Sequence, residues 1–337
     1  MLKYILKRLA YAVLILLGVS IIIYFLIRLM PVDYIQSKID ALSAGGATIS
    51  QEMVENMYKM YGLQDTEGMG FMEKMSSYFS GYLSWLGAML RGDLGTSFKY
   101  ALPVAEIIAD KMWLSFTIAL IATVFEFMIA IPLGITAATH QYSLRDYVVT
   151  ILVMIGISLP SFFFGNILKS VFALKLGWFP VSGMQSAGAV LSGMDAILDY
   201  MWHLVIPIMT IVILSIGPRM RMTRTNMLEV MTSDYIRTAR AKGLKESVVI
   251  NKHAFRNTLI PLVTSMAGLL PGLFSGAIIT EQIFGLEGIG NVALTAMNSG
   301  DIPFIMGYNM FLAVLSVVGV ILADLAYAWV DPRVKLH

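Results

Sequence analysis

The chain has 337 residues, 57% of them hydrophobic and 14% charged, with a formal net charge of +2 and a mean hydropathy of +0.74. A water-soluble domain carries roughly a quarter of its residues as Asp, Glu, Lys and Arg, so composition excludes an ordinary soluble enzyme. With no cysteine, disulfides, thiolate metal sites and a cysteine nucleophile are excluded too.

At the N-terminus, Lys3, Lys7 and Arg8 precede the apolar run 9–27, and no small-x-small cleavage site follows. The run therefore reads as an uncleaved span rather than a signal peptide. Six stretches suit a crossing of about 20 residues: 9–29, 113–138, 147–174, 201–217, 260–284 and 305–330. The fourth is short and contains Pro207. These runs are continuously apolar rather than alternating, which argues for helices over barrel strands. The expected fold is all-α integral membrane with six transmembrane helices. Residues 1–30 would hold the N-terminus and span one, 31–112 a folded outer segment, and 113–337 a five-span core.

Basic residues set the orientation. Lys3, Lys7, Arg8, Arg145, Arg333 and Lys335 share one side with Arg219, Arg221, Arg224, Arg237, Arg240, Lys242, Lys245, Lys252 and Arg256. Both termini are therefore expected in the cytoplasm. The outer segment 31–112 contains Gly45-Gly46, helical patterns near 50–61 and 71–90, and a Gly/Asp bend at 91–98.

The basic stretch 233–261 separates spans four and five. Ser233 can serve as N-cap, Asp234 suits the positive end of the helix dipole, and Gly243 supplies a left-handed stop. That leaves a helix of roughly 13 Å, too short to persist in water without something to pack against. Ala239, Ala241 and Gly243 give it a low profile, which suits a docking piece.

Five ionisable residues fall inside or at the edges of the spans: Arg28, Glu126, Lys169, Glu281 and Asp324. Each costs about 3 kcal/mol or more in hydrocarbon, so such groups face a bundle interior or an aqueous path. Arg28 and Lys169 can snorkel. Glu126 and Asp324 fit a buried hydrogen-bond or ion-pair role, and Glu281 is placed to touch an aqueous path. Pro132, Pro160, Pro207 and Pro271 can kink their helices, as hinges or as ordinary curvature.

Motifs of chemistry are missing. There is no G-x-x-x-x-G-K-[ST] phosphate loop, and the glycines at 285, 288 and 290 read as a turn. His140, His203, His253 and His337 form no H-E-x-x-H pattern, and no G-x-S-x-G elbow occurs. No catalytic or metal-ligating set emerges, and nothing indicates nucleic acid.

Several segments resemble a known family. They are Leu2-Lys-Tyr-Ile-Leu-Lys-Arg8, Arg28-Leu-Met-Pro31, Gly92-Asp-Leu-Gly95-Thr-Ser97, Leu228-Glu-Val230, the run from Asp234 to Gly243, His253-Ala-Phe-Arg-Asn257, Leu259-Ile-Pro261 and Asp331-Pro-Arg333. On them the chain resembles permease subunits of binding-protein-dependent ABC importers of the dipeptide/oligopeptide group.

That resemblance implies a bacterial inner-membrane protein whose cytoplasmic EAA-type loop docks a short coupling helix on an ATPase. Asp234, Tyr235, Arg237, Thr238, Ala239, Arg240, Ala241 and Gly243 would form that contact. Arg237 stands where the motif's glutamate would be, 243–261 is longer than usual, and Glu287 replaces a frequent proline. The implied partners are a second, usually different permease, two ATPases carrying ATP and Mg, an external solute-binding protein and membrane lipid. The chain itself would hold no cofactor. Dipeptides or oligopeptides are the first expectation for cargo, although relatives carry glutathione, nickel chelates or oligosaccharides. The alternative is an ion-gradient-driven secondary transporter or channel using Glu126, Glu281 and Asp324, which leaves the basic loop unexplained.

Overall fold

A computed structural model describes residues 2–28 and 70–330. Its helices are α1 (Leu2–Arg28), α2 (Phe71–Met89), α3 (Val104–Thr139), α4 (Leu144–Ser158) and α5 (Ser161–Leu168), which continues as a π-helix over Lys169–Lys175. Then come α6 (Gly193–Met231), α7 (Asp234–Ala241), a turn at Glu246–Val248 opening a π-helix at Val249–Ala254, α8 (Phe255–Ser265), α9 (Leu269–Phe274), α10 (Ile278–Phe284), α11 (Ile289–Ser299) and α12 (Ile302–Val330).

The chain divides into two compact units, Met1–Trp113 with Val292–Val317, and Leu114–Asn291 with Val318–His337. In the first, α1 lies on α2 through aromatic packing. Tyr24, 1% exposed, meets Tyr82 edge-on at 5.5 Å, and the Tyr82 hydroxyl pairs with Ser20 Oγ at 2.9 Å. The expected bend at 91–98 is present: Gly92 and Gly95 have positive φ, and Asp93 accepts from the Gly95 amide at 2.8 Å. Buried Asp301 fixes the loop from below by accepting from Ser97 Oγ and from the Phe98 amide at 3.0 Å.

In the second unit α6 is the spine. Gly134 on α3 and Gly217 on α6 permit close helix approach. A Cβ at Gly134 would lie 2.8 Å from the Met220 carbonyl oxygen, and one at Gly217 would lie 2.3 Å from Ile157. The main core gathers Ile118, Leu204, Ile206, Phe284 and Leu286.

Among the described residues four helices, α1, α3, α6 and α12, are individually long and apolar enough to cross a membrane, and two bent pairs raise the number to six if each is one crossing. The fold is all-α, as expected, but three spans differ in form. The fourth, expected at 201–217, is the longest of the described helices at 39 residues and runs unbroken through Pro207 and Pro218. That is about 58 Å at 1.5 Å per residue, against a hydrocarbon layer of about 30 Å. The third turns by 103° between α4 and α5. Leu159 is extended (φ −92°, ψ 133°), the conformation favoured before a proline, and Pro160 has no amide to continue the ladder. The fifth breaks near Gly276, which has φ +70°, and the segment Leu269–Phe284 makes an 82° bend with α11. Pro132 leaves α3 continuous, so among these prolines Pro160 alone sits at a sharp bend. The helix expected near 71–90 is α2, while the one expected at 50–61 lies outside the described residues.

Candidate functional site: a short exposed helix and its buried supports

α7 begins where α6 ends, and the junction differs from the expected cap. Ser233 is extended, but its hydroxyl donates to the Val230 carbonyl at 2.6 Å instead of accepting from α7. The last carbonyls of a long helix lack partners, and a serine three residues on is well placed to supply one. Asp234 remains in the first turn of α7, beside Arg237 at 3.5 Å. At the other end Gly243 has φ +75°, and its amide donates to the Arg240 carbonyl at 2.9 Å. The left-handed stop is where the sequence placed it.

Two side chains root this helix. Ile236 (0% exposed) and Ala239 (6%) enter an apolar cluster with Met227, Val249, Ala254 and Ala138. Ala239 was expected on the docking face; instead it faces inward, because it shares the buried stripe with Ile236 at the i, i+3 spacing. Asp234, Tyr235, Arg237, Thr238, Ala241 and Lys242 are exposed. Arg240 reaches over the Gly243 turn and donates to Glu246 through Nη2 at 2.7 Å and Nε at 3.2 Å. That double hydrogen bond holds the Glu246 carboxyl below its ordinary range and raises the Arg240 guanidinium.

The buried charges are distributed among separate clusters. Glu126, 9% exposed, accepts from Arg219 Nε at 2.9 Å, and Arg219 also donates to Ser265 Oγ at 2.8 Å. The Arg219 guanidinium lies 4.6 Å from the centroid of the Phe127 ring. The ion-pair role expected for Glu126 is therefore present, joining α3, α6 and α8.

Glu281 is fully buried, and its carboxylate accepts from Ser115 Oγ (2.7 Å), the Ala277 amide (3.0 Å) and the Asn291 amide (2.8 Å). A Cβ at Gly288 would come within 2.6 Å of that carboxylate. Glycines 285, 288 and 290 thus form more than a turn: Gly288 and Gly290 make room for a charge. Within this chain Glu281 ties α3, α10 and α11 together instead of lining water. Asp324 is half-buried on α12. Lys169 does not snorkel; it donates to the Ile283 carbonyl at 2.8 Å, near the end of α10. The side chain of Arg28 lies outside the described residues.

A further pair escapes sequence reading. Asp146, 4% exposed, accepts from Arg224 Nε at 3.0 Å and Nη2 at 2.9 Å. The partners are 78 residues apart on α4 and α6. The only signal was an Asp at the N-terminus of one apolar run and an Arg beyond the end of another.

Comparison with known proteins places this geometry. Residues 130–336 match the model of the binding-protein-dependent transport system inner membrane component, and residues 1–120 match the model of its N-terminal part. The oligopeptide transport system permease protein AppB of Bacillus subtilis (strain 168) is 36% identical over 336 residues, covering 99% of this chain and 100% of that protein. A putative peptide transport system permease protein of Brucella abortus (strain 2308) is 35% identical over 331 residues, 98% of each chain. The dipeptide transport system permease protein DppB of Alkalihalophilus pseudofirmus is 31% identical over 350 residues, 99% of this chain and 100% of that one. Among solved structures, a chain of the inward-facing MetNI methionine ABC transporter covers 68% of this chain and 98% of its own length, at TM-score 0.49 and 17% identity. Membership of this family favours a permease role over the ion-gradient-driven carrier. On these matches the chain belongs to the inner membrane components of binding-protein-dependent transport systems, as a permease subunit.

Proposed function

We propose that this permease forms half of the path of an ATP-driven importer of dipeptides or oligopeptides, with α7 as the piece that an ATPase subunit grips. The observation that carries this reading is the rooting of α7: Ile236 and Ala239 are buried while the rest of its surface is exposed. A helix of eight residues has little stability of its own and moves with what it is anchored to. Its anchor is the cluster of Met227 on α6, Val249 and Ala254 before α8, and Ala138 at the end of α3. A push on the exposed face is thereby delivered to the long helices α3 and α6 and to the segment leading into α8.

The chain performs no covalent step in this reading. ATP and Mg belong to two partner ATPases, a second permease completes the path, and an external binding protein delivers the cargo. Both termini lie in the cytoplasm of a bacterium, and the segment 31–112 faces the binding protein. The peptide assignment is supported by the names of the relatives. The test is uptake into proteoliposomes containing both permeases, with and without the ATPase pair. ATP-dependent uptake of a labelled tripeptide only with the ATPases supports the proposal, and uptake driven by an ion gradient without them contradicts it.

A further inference from the structure

The inner half of α6 carries three arginines, Arg219, Arg221 and Arg224, and their environments differ. Arg219 is neutralised by Glu126 and Arg224 by Asp146. Arg221 is exposed, and its Nη2 donates to the thioether of Met154 at 2.8 Å. Thioether sulfur is a weak acceptor and carries no compensating charge. Met154 lies inside α4, which is part of a candidate crossing, so the guanidinium sits level with apolar span residues. A cation at such a depth is costly unless it faces water or an anion.

Its neighbours on the helix surface point the same way. Pro218, Arg221, Thr225 and Glu229 are exposed, whereas Gly217, Met220, Thr223 and Met227 are buried. At 100° per residue the exposed four fall within an arc of about 80°. In a chain with 14% charged residues, a stripe reading Arg-Thr-Glu at spacings of four along a membrane helix is a water-facing stripe.

We propose that Arg221, Thr225 and Glu229 line the aqueous path on its inner side, and that Arg221 contacts the carboxylate of the passing solute. This rests on the importer reading and supplies a path residue that Glu281, consumed by its own hydrogen bonds, does not. A guanidinium with no carboxylate partner in the described structure presents donors that match a carboxylate in charge and planar geometry. A peptide's C-terminus is such a group.

The chain's lack of cysteine makes the test direct. In the assembled importer in inside-out vesicles, Arg221→Cys, Thr225→Cys and Glu229→Cys should react with a membrane-impermeant thiol reagent, while Met220→Cys and Thr223→Cys should not. Labelling of the stripe should fall when the importer is trapped with ATP and vanadate. In uptake, Arg221→Ala should slow a tripeptide with a free C-terminus by about tenfold or more, as expected for loss of a charge-assisted hydrogen bond. The C-terminal amide of the same peptide should be affected far less, and Arg221→Lys should recover part of the loss.

Labelling indifferent to the trapped state would place the stripe against lipid headgroups and overturn the proposal. So would equal loss for acid and amide. A native importer that takes up neither peptide would instead count against the importer reading, and the labelling result would stand apart from it.

Discussion

Arg240 grips Glu246 through two hydrogen bonds, at 2.7 and 3.2 Å, across the turn that Gly243 makes. The pair fixes where α7 stops and the next segment starts. Both side chains are well exposed, 40% and 53%, so the pair adds less than about 1 kcal/mol to stability after solvent screening. The sign with pH follows from the carboxylate. Glu246 is held below its ordinary value of 4.5, so its contribution is present above that value and is lost as pH falls through the lowered one. Arg240 is raised above its ordinary value by the same hydrogen bond and keeps its charge throughout that fall. Glu246→Gln should therefore leave thermal stability at pH 7 changed by no more than a degree or two, and should flatten the stability loss measured as pH falls below about 4.5. A large drop in melting temperature at pH 7 would contradict the assignment.

Ile236 is the anchor that joins α7 to the membrane helices. Ile236→Ala removes a fully buried side chain and should cost about 2–5 kcal/mol, spent locally on the seating of α7. The expected phenotype is normal membrane insertion, faster proteolysis between residues 233 and 245, and ATP hydrolysis that no longer tracks uptake. Intact protection of that segment would argue against the anchor.

Gly243 is required for its backbone and not for space. A Cβ there would meet nothing within 4 Å, but φ is +75°. Any L residue with a side chain is disfavoured in the left-handed region by roughly 1–2 kcal/mol, most of all a β-branched one. Gly243→Asn should be tolerated, and Gly243→Val should uncouple ATP hydrolysis from uptake in reconstituted complexes. Equal behaviour of the two variants would refute the conformational account.

Glu126 and Arg219 are 12% and 16% exposed at the side chain, so removing one strands the other. Glu126→Ala should cost about 3–5 kcal/mol and lower the amount of inserted chain, while joint replacement of both by apolar residues of similar volume should recover most of it. The check is a double-mutant cycle on protein level and detergent melting. Additive losses would mean the pair is not coupled.

The sequence exposed these features unequally. Hydropathy marks spans because every membrane-crossing segment must satisfy it, so α1, α3 and α12 were readable directly. It says little about shape: Pro160 follows an extended Leu159 at a 103° bend, while Pro132 leaves its helix continuous. The existence and both ends of α7 were legible in Ser233, Asp234 and Gly243, because turn chemistry is local. Its rotation was not: Ala239 faces in because the surrounding cluster of Met227, Val249 and Ala254 is assembled from distant segments. The same holds for Asp146 with Arg224 and for Glu281 with Ser115, which are partners only once the helices pack. Glu281 looked like a path residue because a charge in a span signals function by default. The glycines that make room for it were visible but had no evident occupant.

Cysteine cross-linking of α7 to the ATPase tests the account most directly. With Thr238→Cys or Tyr235→Cys as the sole cysteine of this chain, and single cysteines in the cleft of the partner ATPase, oxidation of the assembled importer should give a linked pair and halt ATP-dependent uptake until reduction. Efficient cross-linking from Ala239→Cys with none from Tyr235→Cys or Thr238→Cys, or no link to the ATPase from any of them, would contradict it.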